Sequence, residues 1–405
     1  MERGLVVAPA LPIAAAHRVL SPPHDGCCSV AAMASDDLLP FRVDVAEAVL
    51  DDLRERLANT RWPDQIPGSG WGYGTDLAYL QSLCDYWQNT FDWRAQEDRF
   101  NRWPHFLTDI DGQQIHFIHA RSDDPDALPL IITHGWPGSV AEFLDVIEPL
   151  RANFHVVAPS LPGYGWSGPT TEPGWDVHRV AEAWKTLMAR LGYDRYGAQG
   201  GDWGAMVSAR LAAIDAEHMV GLHSNMLLAF PADASGIELT QAETADLMAA
   251  GTFMTTGAAY QEIQGKNPQT LGYGLTDSPA GLAGWIVEKF LVWTDNEGSP
   301  EDAVSRDQLL TNLTVYWVTK TINSSIRLYC ESQRTGHFGP TTDYVTVPTA
   351  TAVFPREIFR IPRAYAESGF NLVRYNRFDR GGHFAALEEP DLLVQDIQEF
   401  FSSLR

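Results

Sequence analysis

Apolar side chains along this chain change their spacing several times, and each change marks a different kind of element. Over 43–58 they fall at Val45, Val49, Leu50, Leu53 and Leu57, the three- and four-residue step of an amphipathic helix, and 77–90 carries a second such stretch. The proline- and glycine-rich segment 63–74 between them reads as a loop. At 108–110 and 114–120, on either side of Asp111-Gly112, the pattern is that of a β-hairpin. A short, fully apolar β-branched run follows at 130–133, and further strands read at 154–158, 196–199 and 220–225, separated by helical stretches, with two more at 349–353 and 372–377. A run like 130–133 is a buried parallel strand, and the alternation of these strands with helices predicts an α/β protein with a mostly parallel sheet. From about 229 to 347 the alternation stops. That stretch is helical in spacing and rich in aromatics (Phe253, Trp285, Phe290, Trp293, Tyr316, Trp317, Phe338), and Ser278-Pro279 reads as a helix start with proline in the first turn. An inserted helical cap over the sheet accounts for it, its aromatics mostly core and the inward-facing ones lining an apolar pocket.

The chemistry begins after the 196–199 run. Gly200-Gly201-Asp202-Trp203-Gly204 leads into the helix-forming 205–213, giving the strand, sharp turn and helix of a nucleophile elbow, with aspartate at the exposed position. Read alone, the same residues are a tight turn with an aspartate capping the next helix. A carboxylate that attacks saturated carbon leaves an ester that water can cleave at its carbonyl, whereas a serine would leave an ether. Asp202 therefore points to alkyl transfer and argues against a serine-type esterase. Upstream, 130–133 ends in His134-Gly135-Trp136-Pro137-Gly138, so the backbone amides of Trp136 and Trp203 are the candidate oxyanion donors.

Near the C-terminus Gly381-Gly382-His383-Phe384 follows the last predicted strand, where His383 would reach the elbow. Its acid is expected after the preceding strand, and Glu357 is the carboxylate there; Asp379 and Asp233 are the competing choices.

With these residues in hand, the chain from about Leu39 onward resembles the microsomal-type epoxide hydrolases. The resemblance rests on Pro40-Phe41-Arg42-Val43, Thr60-Arg61-Trp62-Pro63, the His134 to Gly138 loop, Pro162-Gly163-Tyr164-Gly165-Trp166-Ser167, the elbow, and Gly381 to Pro390 in that order. It implies an α/β-hydrolase fold with an inserted helical cap and an N-terminal segment wrapping core and cap. It also implies two cap tyrosines that hydrogen-bond the epoxide oxygen, and Tyr329 and Tyr260 fit those positions. Two phenols aimed at an opening ring stabilise the alkoxide and supply its proton. The implied reaction converts an epoxide and water to a vicinal diol through an ester on Asp202, with His383 and Glu357 activating water and no metal or organic cofactor. Such chains serve detoxification and secondary metabolism. A haloalkane or haloacid dehalogenase would use the same aspartate, acid and histidine, with indole donors for the halide, and a non-catalytic binding module is the remaining alternative.

Composition narrows the partners. Among 405 residues, 52 Asp and Glu outweigh 29 Lys and Arg for a net charge of −23, which disfavours nucleic acid and anionic membranes; the partner that the resemblance implies is a small-molecule epoxide, with a homodimer open. The four cysteines, Cys27, Cys28, Cys84 and Cys330, have no metal-ligand spacing and suit a reduced, cytoplasmic setting, secretion being left open. No membrane anchor is expected. The sequence thus divides into an extended or disordered start (1–35), an N-terminal segment (36–107), a first core part (108–228), the cap (229–347) and a second core part (348–405).

Overall fold

The inner strands are buried along their whole length, and they build the frame of the site. In this computed structural model, which describes residues 37–404, one sheet contains β1 (Leu39–Phe41), β2 (His105–Ile110), β3 (Gln113–Ala120), β4 (Leu128–Thr133), β5 (Phe154–Pro159), β6 (Tyr196–Gly200), β7 (Met219–Ser224), β8 (Val345–Val353) and β9 (Phe370–Arg377). The order is β1-β2-β3-β5-β4-β6-β7-β8-β9. The first four in that order pair antiparallel, and from β5 onward every pair is parallel. Every residue of β4, β5 and β6 is buried, as strands covered on both faces require. Asp111 and Gly112, at φ 55° and 73°, make the left-handed two-residue turn of the β2–β3 hairpin. The loops after β4, β6, β8 and β9 leave the same end of the parallel strands, which is where α/β sheets hold their ligands.

Residues 1–35, read above as an extended or disordered start, lie with Cys27 and Cys28 outside the described residues. Three local readings need adjustment. The first helix spans Glu47–Ala58, not 43–58, because Val43 N and Val45 N bond the side chains of Asn101 (2.9 Å) and Glu97 (2.7 Å) and hold an extended entry. Their partners lie on or just beyond a helix, Trp93–Phe100, that apolar spacing did not reveal, since its buried face includes Gln96 and Glu97. Strand β1 was equally unmarked: three residues form it by pairing with β2.

Between β7 and β8 the structure is helical, with Gln241–Thr256, Ala259–Lys266, Pro268–Asp277, Pro279–Trp293, Arg306–Thr319 and Ile322–Thr335. Pro279 occupies the first turn of its helix, and Ser278 Oγ accepts from Gly281 N at 3.0 Å, as the sequence predicted. The N-terminal helices lie against this cap. Trp87 Nε1 donates to Thr314 Oγ1 at 2.9 Å, and Arg56 Nη1 reaches Asp277 Oδ1 at 2.8 Å. No helix among the described residues is long and apolar enough to cross a membrane.

A buried carboxylate ties the last helix, Pro390–Ser402, to the sheet. Asp396 Oδ1 accepts from Arg374 Nε (2.9 Å) and Asn376 Nδ2 (2.8 Å), and Oδ2 meets His223 Nε2 at 3.0 Å. Burial alone would raise its pKa, but His223, Arg374 and Asn376 outweigh burial and hold it below the usual carboxylate range. The stabilisation is therefore complete above the unfolded-chain value of about 4 and is lost as pH falls from there through the lower native value. Asp396→Asn, which leaves Arg374 without its counter-charge, is expected to cost about 3–5 kcal/mol in urea unfolding at pH 7, with a smaller difference from the parent at pH 3.

Candidate active site

The elbow is strained in the manner its position suggests. Asp202 has φ 50° and ψ −127° and immediately precedes the helix Trp203–Ile214, yet its side chain makes no capping hydrogen bond to that helix. The plain capping role is thus ruled out by the observed geometry. Instead Asp202 Oδ1 accepts from Trp136 N at 2.8 Å, and Oδ2 lies 3.3 Å from His383 Nε2. Two glycines make the approach possible. A Cβ on Gly204 would fall 1.9 Å from the Thr133 carbonyl oxygen, and one on Gly135 would fall 2.1 Å from Asp202 Oδ1. The second candidate amide, Trp203 N, heads the helix, so it has no carbonyl one turn back to occupy it.

His383 is buried on the loop after β9, and Nδ1 donates to Glu357 Oε1 at 2.8 Å. Glu357 lies after β8 and is fixed in turn by Ile358 N (2.6 Å). Burial works against charge on His383, but Glu357 and Asp202 together overcome it and raise its pKa well above 6.5. The competing acids do not reach it. Asp379 and Asp233 are exposed, and Asp233 turns back to Ser235 N at 2.8 Å. Asp202, His383 and Glu357 are therefore in register as nucleophile, base and acid would be.

The cap brings both tyrosines to the same place. Ser324 Oγ donates to the Gly163 carbonyl at 2.5 Å, seating the helix Ile322–Thr335 on the loop after β5, and Tyr329 lies one turn further along. The helix Ala259–Lys266 crosses close by, where a Cβ on Gly265 would meet Gln333 at 2.2 Å. Tyr260 at its start stacks on Trp136 with centroids 5.3 Å apart, and Tyr329 meets the Trp203 ring edge-on at 4.6 Å. The two phenol rings are 5.9 Å apart. Burial raises both phenols above 10, so they stay protonated; Tyr260 accepts from Gln261 Nε2 at 3.0 Å, which leaves its own hydrogen to be donated. Both line a cavity of about 250 Å³ together with Asp202, Trp203, Met206 and Phe338.

Sequence reading missed the groups that hold this arrangement. Asn312 Nδ2 donates to the Pro137 carbonyl (2.7 Å) and Tyr316 OH to the Gly138 carbonyl (2.7 Å), so one cap helix fixes the loop bearing Trp136. Glu388 accepts from Phe384 N (2.9 Å) and Asp295 N (2.8 Å), tying the His383 loop to the cap, and burial pushes its pKa up to about 7. These partners are ordinary polar residues without local motif. The carboxyl of Glu142, pushed up to about 8 by burial, faces a small space beside Asp202 and was likewise unmarked. Among the described residues the group with metal-ligand proximity is Asp215, Glu217 and His218, on the turn before β7, where Lys185 Nζ sits 3.2 Å from Asp215 and already supplies positive charge.

Known proteins resemble this chain in sequence and fold. The family described as the epoxide hydrolase N terminus matches residues 38–143, and the alpha/beta hydrolase fold family matches 129–300. A protein of Stigmatella aurantiaca that carries the epoxide hydrolase name provisionally is 45% identical over 91% of this chain and 86% of its own length. Epoxide hydrolase 1 of Sus scrofa is 36% identical over 92% of this chain and 90% of its own. The crystal structure of juvenile hormone epoxide hydrolase from the silkworm Bombyx mori superposes with a TM-score of 0.85 at 33% identity, covering 91% of this chain and 95% of that one. By sequence over nearly its whole described length and by fold, the chain belongs to the microsomal-type epoxide hydrolase family.

Proposed function

We propose that this protein hydrolyses a lipophilic epoxide to a vicinal diol through an alkyl ester on Asp202. The observation that carries the reading is the placement of one carboxylate between an amide donor, an imidazole and a cavity bearing two phenols. Oδ1, at Trp136 N, becomes the ester carbonyl oxygen, and Oδ2 faces substrate and His383. In the first half-reaction Oδ2 forms a bond to an epoxide carbon as the C–O bond of the ring breaks. The oxygen takes its proton from Tyr260 or Tyr329, each of which meets the developing alkoxide as a neutral donor.

Ester formation removes the Asp202 charge. That charge is one of the two that raise the pKa of His383, so its loss favours the neutral imidazole needed as base. In the second half-reaction His383 takes a proton from water attacking the ester carbonyl, and the Trp136 and Trp203 amides receive the oxyanion. The departing alkoxide takes that proton back, and the proton on the released Asp202 restores the phenolate through solvent. Glu357 keeps the imidazole oriented throughout. Dehalogenation could use the same triad but has no use for two phenols. The cavity lining, with Met206, Met226, Leu228, Phe230 and Phe338, supports an apolar substituent on the epoxide.

His383→Gln is expected to form the ester and hydrolyse it slowly. Intact mass spectrometry should therefore show a substrate adduct on a tryptic peptide containing Asp202; an absent adduct with a substrate the parent turns over would exclude the two-step scheme. A single turnover in heavy-oxygen water should give mostly unlabelled diol, with the label left in Asp202. For the phenols, Tyr260→Phe and Tyr329→Phe should each slow alkylation about a hundredfold by lost oxyanion stabilisation, and the double substitution more. Stopped-flow tryptophan quenching reads that step, and near-parent rates in the double variant would reduce the tyrosines to cap packing.

A further inference from the structure

Two cavities meet at Asp202. The apolar one under the cap takes substrate in the scheme above. The other is a small space of about 20 Å³, lined by Gly135, Glu142, Gln199, Asn225 and His383 together with Asp202. Roughly 10–15 Å³ of such volume accommodates one water when two to four polar partners surround it. This space meets both conditions, and it touches the nucleophile and the base at once.

Glu142 is the acidic member that the mechanism has not used. It sits in the short turn Val140–Phe143, which is fixed because Ser139 Oγ accepts from Ala141 N (3.2 Å) and donates to Asn312 Oδ1 (2.8 Å) in the cap. Its carboxylate lies directly over Gly138, where an added Cβ would fall 1.3 Å from Oε1. Glycine at 138 is thus what leaves room for the carboxylate to reach the cavity.

We propose that this small space holds the water that hydrolyses the Asp202 ester, and that Glu142 orients it against the ester carbonyl. The inference rests on the ester scheme above. One hydrogen of the water points to His383 Nε2 and the other to Glu142, which leaves a lone pair directed at Asp202 Cγ. His383 takes the proton as the oxygen bonds to Cγ; the ester C–O bond then breaks, and the alcohol oxygen recovers that proton from the imidazolium. Glu142 exchanges no proton in the step.

Burial pushes the Glu142 carboxyl up to about 8, His383 opposing that shift and the Asp202 charge adding to it. The carboxyl keeps an acceptor oxygen for the water in either protonation state.

The test separates the two half-reactions in the full-length protein. Glu142→Leu should leave alkylation within about twofold of the parent and slow ester breakdown about thirtyfold, the scale of a lost hydrogen bond to a reacting group, while Glu142→Gln recovers most of the rate. Gly138→Ala, which puts a methyl group where the carboxylate lies, should behave as Glu142→Leu does and keeps the test decisive if the leucine variant does not fold. Stopped-flow fluorescence reads alkylation, and quenched intact mass reads ester breakdown and accumulated adduct. Parent-like breakdown in Glu142→Leu and Gly138→Ala, or alkylation falling in parallel with breakdown, would overturn the water site. Absence of any adduct in His383→Gln would instead overturn the ester scheme beneath it.

Discussion

Asp202 is held at φ 50° and ψ −127°, a backbone region that costs a non-glycine residue on the order of 1–3 kcal/mol, and the surrounding structure exists in good part to hold it there. Released to an ordinary conformation, the side chain would cap its helix and withdraw from His383. The chain prevents this by closing space behind the turn. β6 enters beside β4, Gly204 lies against the Thr133 carbonyl, and Gly135 lies against the carboxylate itself, so the turn has nowhere to relax. Local strain is offset by the packing of the apolar inner strands, which are buried along their whole length.

The cap is more than a cover over this turn. It supplies Tyr260 and Tyr329, but its helices also bond the Pro137 and Gly138 carbonyls and, through Asn312, Ser139. The amide of Trp136 is aimed by groups nearly two hundred residues later in the chain. Tyr260 in turn stacks on the Trp136 ring, so oxyanion donor and phenol are parts of one aromatic stack. Movement of the cap would disturb the Trp136 loop and both phenols together, and the Asp246 pairs with Arg360 (2.6 Å) and Arg377 (2.7 Å) fasten it to the loops around Glu357 and β9.

Electrostatics connect the steps. His383 stands between Glu357 and Asp202 in a buried setting, and both carboxylates favour its charged form. In the proposed ester scheme, loss of the Asp202 charge would by itself release the imidazole to act as base. The Glu388 carboxylate, bonded to two backbone amides, holds the histidine loop against the cap during that change.

The sequence by itself marked the sheet, the elbow turn and the set Asp202, Glu357 and His383. Strands buried on both faces are mostly apolar, an elbow of this kind needs glycines around its aspartate, and a histidine loop after the last strand follows chain order, so each leaves a local mark. Asp202, His383 and Glu357 were legible for that reason, and Tyr260 and Tyr329 through the family resemblance their segments carry. Strand β1 and the helix Trp93–Phe100 were not, because three residues show no period and a helix that buries Gln96 and Glu97 lacks an apolar stripe. Only the tertiary structure put Asp379 and Asp233 out of reach of His383, brought Asn312 and Tyr316 to the Trp136 loop, and placed Glu142 over Gly138. Those choices depend on which polar groups meet across long separations, and burial, not spacing, gives a glutamate or an asparagine its role there.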